Sequence, residues 1–366
     1  MVYRAIGLMS GSSLDGLDIV FAEFHENGGK WQFEIKNTAC YPYSETWKNK
    51  LSGSTGLPAL EYLLLDRAYG HYLGQEVNRF IEEHELQFQV ALIVSHGHTS
   101  FHQPPQMTAQ LGDGSAIAAE TGLPVISDLR SMDVSFGGQG APIVPIGELL
   151  LMKDYDFFLN LGGIANISVN RDPYIAFDIC PANRVLNLLA SDLGKPFDKD
   201  GAMAAAGRLN PVLLEKLNAL EYYERPFPKS LSNNFGTDII YPLIREEHLS
   251  TEDALNTYAV HIGHQVRKAV IKSLSTGDAA KPSPASLLVT GGGAFNTFLI
   301  QQLTTLLTDL GITVVKPPDE LINFKEALIM AFIGVLRWRE EYTVIPSVTG
   351  ATRASIGGAL WNGQEA

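Results

Sequence analysis

Three glycine-rich segments, each placed directly after a short apolar segment, constrain the fold of this chain more than any other feature of its sequence. The chain has 366 residues, of which 34 are glycine, and the three segments lie at 10–16, 162–163 and 291–293. Glycine permits tight turns and brings backbone N–H groups close to a ligand, because it has no Cβ. Apolar strands that end in glycine turns therefore predict an α/β chain with β-hairpins.

The first two segments predict two hairpins of the same kind. Strands are predicted at 3–9 and 17–24, joined by Ser10-Gly11-Ser12-Ser13-Leu14-Asp15-Gly16. A second pair of strands is predicted at 156–161 and 164–169, joined by Gly162-Gly163. One hairpin at the head of each half indicates a duplicated chain, although the two halves share little sequence.

The third segment predicts a strand followed by a helix. Residues 285–290 have an apolar strand pattern, Gly291-Gly292-Gly293 makes the turn, and 297–310 has the apolar spacing of a helix. Breaker residues at 127–145 predict the crossover between two domains, at 1–135 with 342–366 and at 136–341. Further helical patterns lie at 56–84, 182–193, 251–275 and 325–341.

Composition disfavours several classes of function. With 27 Lys and Arg against 40 Asp and Glu, the formal net charge is −13, which disfavours nucleic acid and anionic membranes as partners. No apolar run approaches the ~20 residues of a membrane helix, and the N-terminus lacks a signal-peptide pattern. Cys40 and Cys180 are the two cysteines, so we expect no disulfide framework and a reducing, cytoplasmic location.

The glycine turns favour a nucleotide site. Successive N–H groups of such a turn bind phosphate oxygens, and the serines within 10–13 would add donors. No Gly-x-x-x-x-Gly-Lys-[Ser/Thr] motif occurs, so charge neutralisation falls to backbone dipoles and to Mg²⁺ held by Asp15 or Asp18. Plain hairpin geometry would explain a single turn better, but three turns favour a nucleotide. A dinucleotide fingerprint is disfavoured, because Asn296 replaces its last small residue.

The motifs also resemble a known family. Residues 7–18 (Gly-Leu-Met-Ser-Gly-Ser-Ser-Leu-Asp-Gly-Leu-Asp) resemble the opening signature of the anhydro-N-acetylmuramic acid kinase family. Later blocks resemble family blocks in the right order across nearly the whole chain, at 136–142, 160–166, 198–201, 290–296 and 346–351. The resemblance implies the fold of the acetate and sugar kinase, heat-shock chaperone and actin superfamily. That fold has two ribonuclease-H-like α/β domains with ATP in the cleft between them.

The resemblance implies a specific reaction in peptidoglycan recycling. ATP and water convert 1,6-anhydro-N-acetylmuramic acid into N-acetylmuramic acid 6-phosphate and ADP. Water attacks C1 while O6 takes the γ-phosphoryl group, so the reaction requires a carboxylate base near C1 and ATP placed in line with O6. The resemblance also implies Mg²⁺ as a cofactor and a homodimer, although no interface stripe is legible in the sequence.

Asp178 is the expected base. It ends an apolar strand predicted at 174–178, and an unperturbed Asp with a pKa of ~3.9 is ionised at neutral pH. The family block Phe-Asp-Thr-Gly-Pro-Gly-Asn is Phe-Asp-Ile-Cys-Pro-Ala-Asn at 177–183, so the carboxylate is retained although both glycines are replaced. Without the resemblance, a cap on a helix that starts near Pro181 explains Asp178 equally well.

The resemblance implies two further sets of site residues. Nucleotide contacts are expected from Gly11, Ser12, Ser13, Leu14, Asp15, Gly16, Leu17, Asp18, Asn160, Gly162, Gly163, Gly291, Gly292, Gly293 and Asn296, with Asp18 also as metal ligand. Substrate contacts are expected from His96, Arg130, Asp133, Asn183 and Glu326.

Several of these residues keep open alternatives. Arg130 would bind the lactyl carboxylate of the sugar or form a surface ion pair. Glu326 would contact substrate or favour the dipole of its helix. His96, His98 and His102 have the alternate spacing of a metal site on a strand, but a substrate-lining loop is the better explanation. The segment after Ser230 departs from the family pattern, so its contacts are not carried over.

Three other functions are alternatives. The same fold could phosphorylate a different sugar without the hydrolytic step, which labelled water would reveal. A nucleotide-dependent chaperone or filament protein is disfavoured, because no long peptide-binding β domain follows the core. A NAD-dependent enzyme would be identified by a panel of nucleotides.

Overall fold

The strands and helices are seen in a computed structural model that describes residues 1–11, 13–227, 229–232, 234–275 and 284–363. The strands are β1 (Val2–Ser10), β2 (Gly16–Asn27), β3 (Lys30–Pro42), β4 (Leu92–Gln103), β5 (Met107–Leu111), β6 (Val125–Ser127), β7 (Phe157–Leu161), β8 (Ile164–Val169), β9 (Ile175–Pro181), β10 (Ala285–Thr290), β11 (Ile312–Val315) and β12 (Ala359–Trp361). Ser12, an expected nucleotide contact, lies outside the described residues.

The helices alternate with these strands along the chain. They are α1 (Glu45–Ser52), α2 (Ala59–Glu83), α3 (Gly114–Thr121), α4 (Ser131–Ser135), α5 (Pro145–Leu151), α6 (Asn183–Ser191), α7 (Ala202–Ala206), α8 (Pro211–Asn218), α9 (Tyr241–Arg245), α10 (Thr251–Leu274), α11 (Thr297–Thr308), α12 (Asp319–Trp338) and α13 (Pro346–Thr349). Among the described residues, every helix is too short or too polar to cross a lipid bilayer.

The chain divides into two compact units that share one strand order. Unit 1 comprises Met1–Met152 and Phe324–Ala366, and unit 2 comprises Lys153–Asn323. The central order is β3-β2-β1-β4-β6 in unit 1 and β9-β8-β7-β10-β11 in unit 2. In unit 1, β1, β2 and β3 are antiparallel neighbours, and β4 and β6 run parallel to β1. In unit 2, β7, β8 and β9 are antiparallel neighbours, and β10 and β11 run parallel to β7. The predicted α/β class and duplication are confirmed, with the ribonuclease-H-like arrangement in each unit.

Each unit has its own apolar core. In unit 1 the core joins the central strands to α2, with Ile6, Leu8 and Tyr69 fully buried. In unit 2 the core joins β7 and β10 to α10, with Leu159 and Leu287 fully buried. Apolar residues at strand and helix spacing therefore bury one face of each element against the other layer.

Most predicted elements are present with bounds that differ by a few residues, and two of the differences have a structural reason. Strand β9 continues past Asp178 to Pro181, where it pairs with the start of β8 beyond a bulge between Ala165 and Asn166. Helix α12 begins at Asp319 rather than at 325, since its first turn carries acidic residues that favour a helix N-terminus.

The unit boundaries differ from those predicted from breaker residues. Segment 127–145 lies within unit 1, and the units change between Met152 and Lys153 and again within α12. The reason is a buried ion pair between Glu148 of α5 and Lys325 of α12, with an N–O distance of 2.9 Å. This contact, together with close packing of the two helices, keeps α5 and most of α12 with the first sheet.

Candidate functional site

The first glycine segment forms the tip of the β1–β2 hairpin. Ser10 and Leu17 are the last paired residues of the two strands, so the tip lies between them. Ser13 and Asp15 are exposed there. The predicted hairpin is confirmed, and its tip presents short side chains and backbone groups to solvent.

The second and third glycine segments lie side by side in unit 2. Gly162 and Gly163 join β7 to β8, and the carbonyl oxygen of Gly162 accepts the N–H of Asn183 at 3.0 Å. The Asn183 side chain donates to the carbonyl oxygen of Leu161 at 2.9 Å. A Cβ on Gly293 would lie 2.6 Å from the Leu161 Cβ. The structure thus brings Asn183 and both glycine turns together at the end of β7.

The glycines divide into those that the fold requires and those that it does not. A Cβ on Gly16 would lie 2.6 Å from the carbonyl oxygen of Tyr41. Gly291 has φ 78° and ψ 167°, a region that is essentially restricted to glycine. Beyond the adjoining residues, a Cβ would meet no heavy atom closer than 3.5 Å at Gly11, Gly162, Gly163 and Gly292. Packing does not require glycine at these four positions.

Four of the expected nucleotide contacts have other duties in the fold. The Asn296 side chain accepts the N–H of Leu299 at 2.9 Å and caps α11. The Asn160 side chain packs against Gly291, since a Cβ added to that glycine would lie 2.5 Å from Asn160 Oδ1. Leu17 is buried in the core and Leu14 packs against it, so these two leucines can offer a ligand only their backbone.

Asp18 is the half-buried acid next to the first tip. It lies on β2 opposite Met9. Burial raises its pKa to about 6, a hydrogen bond from the Cys40 thiol opposes this, and the carboxylates of Glu326 and Asp15 add to it. Mutually repelling carboxylate oxygens are a donor set that suits a hydrated Mg²⁺ ion.

Arg130, which is half-buried, pairs with the buried His96 in unit 1. The guanidinium donates to His96 Nε2 at 2.9 Å from Nε and to the carbonyl oxygen of Gly140 at 2.5 Å from Nη1. His96 Nδ1 lies 2.9 Å from the carbonyl oxygen of Gly97, which can only accept, so Nδ1 carries the proton. Burial and the Arg130 guanidinium lower the pKa of His96 to about 3. The neutral imidazole thus orients Arg130, which is not a surface ion pair.

Asp133 braces two loops of unit 1. Its Oδ2 accepts the N–H of Gly140 at 2.7 Å, and its Oδ1 accepts the hydroxyl of Thr349 at 2.7 Å. Both carboxylate oxygens are therefore engaged inside the protein, and Asp133 is buried. These contacts connect the segment after α4 to α13, which is a structural duty beside the expected substrate contact.

Glu326 lies with the other charged residues of unit 1. Burial is the main cause of the raised pKa of Asp18, and the Glu326 carboxylate adds to it. The same carboxylate raises the pKa of Arg130, against the larger lowering effect of burial. It stands well past the first turn of α12, whose acids are Asp319 and Glu320. An interaction with the N-terminal helix dipole, which fades after the first turn, does not explain it.

Asp178 lies in the middle of β9 and is half-buried. It faces Asn166 on β8, and its Oδ2 accepts the N–H of Leu231 at 2.9 Å. Burial raises its pKa, and the Leu231 N–H partly offsets this. Helix α6 has Ala182 as its N-cap without a side-chain hydrogen bond, so Asp178 does not cap it. Leu231 contributes a backbone group, which gives no signal in the sequence.

The histidines of β4 do not form a metal centre. His98 Nδ1 lies 3.0 Å from the Ser10 hydroxyl, and His102 Nδ1 lies 3.1 Å from the Thr108 hydroxyl. Within the part of the chain that the structure describes, one group brings three possible ligand atoms within 4.8 Å of one another: Glu23, His25 and Glu34.

The chain is similar to one family over nearly its whole length. The model of the family described as anhydro-N-acetylmuramic acid kinase matches residues 3–363. The protein of that name from Shewanella putrefaciens (strain CN-32 / ATCC BAA-453) is 32% identical over 374 residues, covering 98% of each chain. That from Gloeobacter violaceus (strain ATCC 29082 / PCC 7421) is 32% identical, covering 96% of each chain.

Similarity to solved structures is much lower. The activator of the 2-hydroxyisocaproyl-CoA dehydratase from Clostridium difficile with bound ADPNP is 14% identical, with a TM-score of 0.42, covering 92% of this chain and 97% of that chain. A similarity at this level supports no inference about function.

Proposed function

The chain belongs to the anhydro-N-acetylmuramic acid kinase family, and on this premise we propose that it uses ATP and water to convert 1,6-anhydro-N-acetylmuramic acid into N-acetylmuramic acid 6-phosphate and ADP. The oxygen of water attacks C1, the bond between C1 and O6 breaks, and O6 takes the γ-phosphoryl group. The attacking water gives up a proton in this step. The protein must therefore supply a base, hold the sugar and orient the phosphates.

Asp178 is the base in this proposal, and its fixed carboxylate is the observation that carries it. Oδ2 is held by the Leu231 N–H at 2.9 Å, and the other oxygen is assigned to accept the proton of water. Burial raises the pKa of this carboxyl. A carboxylate with a raised pKa is a stronger base than an exposed one.

The phosphate contacts are assigned to the glycines that the fold does not require. Their backbone N–H groups can approach phosphate oxygens because no side chain intervenes. Mg²⁺ would neutralise charge on the phosphates, and Asp18 with the neighbouring Glu326 would hold it, in part through water. Support comes from the raised pKa of Asp18, which a nearby cation would relieve.

Arg130 is assigned to the lactyl carboxylate of the sugar. In the described part of the chain, its guanidinium forms three hydrogen bonds to His96 and Gly140, which use three of its about five N–H donors. The remaining donors can bind an anion, and the planar group suits a carboxylate. Because the neutral His96 holds the guanidinium in place, it contributes to substrate binding without touching the sugar.

Mass analysis of the products tests this proposal. ATP and the anhydro sugar in ¹⁸O-labelled water should give a sugar that has gained both phosphate and one labelled oxygen at C1. A phosphorylated sugar without label would indicate a kinase of the same fold that lacks the hydrolytic step. A cytoplasmic location and a homodimer complete the proposal, and sedimentation of the purified chain tests the latter.

A further inference from the structure

A closed ring of hydrogen bonds surrounds the backbone of Asp178. The Asp178 N–H donates to the carbonyl oxygen of Lys229 at 3.1 Å. The Lys229 ammonium donates to the carbonyl oxygen of Tyr222 at 3.1 Å. The Tyr222 hydroxyl donates to the carbonyl oxygen of Asp178 at 2.8 Å. Each of the three residues thus holds the backbone of the next.

The same ring fixes the segment that orients the Asp178 carboxylate. Leu231, whose N–H binds Asp178 Oδ2 at 2.9 Å, lies two residues after Lys229. The Lys229 ammonium also lies over the Tyr222 ring, 4.3 Å from its centroid, which adds a cation–π attraction. Tyr222 is itself buried. A displacement of Lys229 would therefore carry the Leu231 N–H away from the carboxylate.

We infer that Lys229 and Tyr222 are positioning residues that hold the Leu231 N–H against the Asp178 carboxylate. This inference rests on the proposed role of Asp178 as the base. Neither residue is assigned a contact with reacting atoms, so both act through Asp178. Small displacements of a catalytic group reduce rate strongly, because the reacting atoms must lie within a narrow range of distance and angle.

The ring depends on the charge of Lys229. Burial and the cations Lys272 and Lys268 together lower the pKa of Lys229 to about 8, against a smaller opposing effect of Cys180 and Glu224. An ammonium binds a carbonyl oxygen and an aromatic ring more strongly than a neutral amine does. The ring should therefore weaken, and the rate should fall, as the pH rises through about 8.

Substitution of Lys229 tests the inference by its effect on rate. Lys229→Met should lower kcat roughly ten- to a hundredfold and leave the KM for ATP unchanged. Lys229→Arg keeps the charge, so it should recover most of the rate at pH 7 and abolish the fall at alkaline pH. Retention of full kcat by Lys229→Met, or the same alkaline fall in Lys229→Arg, would overturn the inference.

Lys268→Met is the matched control, because it removes a neighbouring cation that takes no part in the ring. Its ammonium pairs with Glu224 instead. We expect the rate at pH 7 to stay unchanged and the alkaline fall to move to higher pH, since Lys229 loses a like charge nearby. An equal loss of rate in Lys268→Met would mean that any lost charge on this face has the same effect, and the inference would fail.

A measurement without turnover separates this inference from the proposed function. Carbon-13-labelled aspartate, with Asp178→Asn for assignment, reports the pKa of the Asp178 carboxyl in the free protein. Tyr222→Phe and Lys229→Met should each raise that pKa, because the Leu231 N–H that lowers it would move away. Unchanged values in both variants overturn the inference even if the wild type is an active kinase. Raised values uphold it even if the anhydro sugar is not a substrate.

Discussion

The hairpins at the head of the two units have the same strand pairing but different surroundings. The β1–β2 hairpin carries Asp18 beside its tip, in the field of the Glu326 carboxylate. The β7–β8 hairpin has only glycines at its tip, and Gly162 accepts the N–H of Asn183 at the start of α6. In unit 2 the carboxylate that is assigned to the chemical step, Asp178, lies instead on β9, the strand that follows the hairpin in the chain.

A duplicated backbone does not impose duplicated chemistry. The acid of unit 1 is crowded by like charges, and such a site favours a cation. The acid of unit 2 is oriented by an N–H donor, and such a site favours proton transfer. Variants at Asp18 should therefore affect nucleotide and metal binding, whereas variants at Asp178 should affect the chemical step.

Asp178→Asn should have the largest effect on kcat. An unchanged kcat would contradict the contrast drawn between the two acids. Asparagine keeps an oxygen that can accept the Leu231 N–H, but it cannot take a proton from water. General-base catalysis contributes about 10²- to 10⁴-fold, so kcat should fall by that factor while ATP binding is unchanged. Steady-state kinetics and calorimetric titration with ATP provide the measurement.

Another acid of unit 2, the buried Asp198, provides the control for this variant. Asp198 accepts the N–H groups of Met203 and Ala204, both at 2.9 Å. Asp198→Asn should lower stability with little change in kcat, because this carboxylate holds the start of α7. Full activity in Asp178→Asn would remove Asp178 from the mechanism and with it the contrast between the two acids.

Gly291→Ala should have the next largest effect, on stability. Its φ of 78° and ψ of 167° strain any L-residue, and a Cβ would lie 2.5 Å from Asn160 Oδ1. We expect the free energy of unfolding to fall by about 2–4 kcal/mol, measured by urea denaturation. Gly350 has φ 77° and ψ 8°, and a Cβ added there would have no heavy atom within 4 Å beyond the adjoining residues. Gly350→Ala should cost only about 1 kcal/mol, and equal losses would contradict the packing explanation.

Gly162→Ala tests a glycine that the packing of the fold does not require. A Cβ there would have its nearest neighbours at 3.5 Å, so the free energy of unfolding should change by less than about 0.5 kcal/mol. If the turn approaches phosphate, the KM for ATP should rise roughly tenfold. Gly11→Ala is the parallel variant in the first tip. Lost stability with an unchanged KM would assign Gly162 to the fold rather than to the ligand.

Much of the fold could be predicted because its signals are local. Strand alternation around glycine turns predicts both hairpins, and helical spacing predicts α2, α6 and α10. The unit boundaries could not be predicted in this way. They depend on the pair Glu148 and Lys325, which are 177 residues apart, and no local pattern reveals such a contact.

The partner of Asp18 shows why the site itself is harder to predict. Counting back from the turn between Asn27 and Lys30 would place Ala39 opposite Asp18. A bulge after Phe21 shifts the register by one residue, so that Cys40 faces Asp18 instead. A bulge has no reliable sequence signal, and a one-residue slip changes which side chain meets the acid.

Asp18→Asn should have the smallest effect, and its sign distinguishes a crowded acid from an oriented one. Burial, opposed by the Cys40 hydrogen bond, and nearby carboxylates raise the pKa of Asp18 from its ordinary value of 3.8 to about 6. The folded state therefore binds the proton of the Asp18 carboxyl more tightly than the unfolded chain does. The stability that Asp18 contributes is fully present below pH 3.8 and is lost as the pH rises through about 6. Without Mg²⁺, the uncharged Asn should stabilise the protein at pH 7 by about 1 kcal/mol, allowing for solvent screening, and should have no effect near pH 4. Calorimetric unfolding at both pH values measures this, and a variant that is less stable than the wild type at pH 7 would contradict the raised pKa of Asp18.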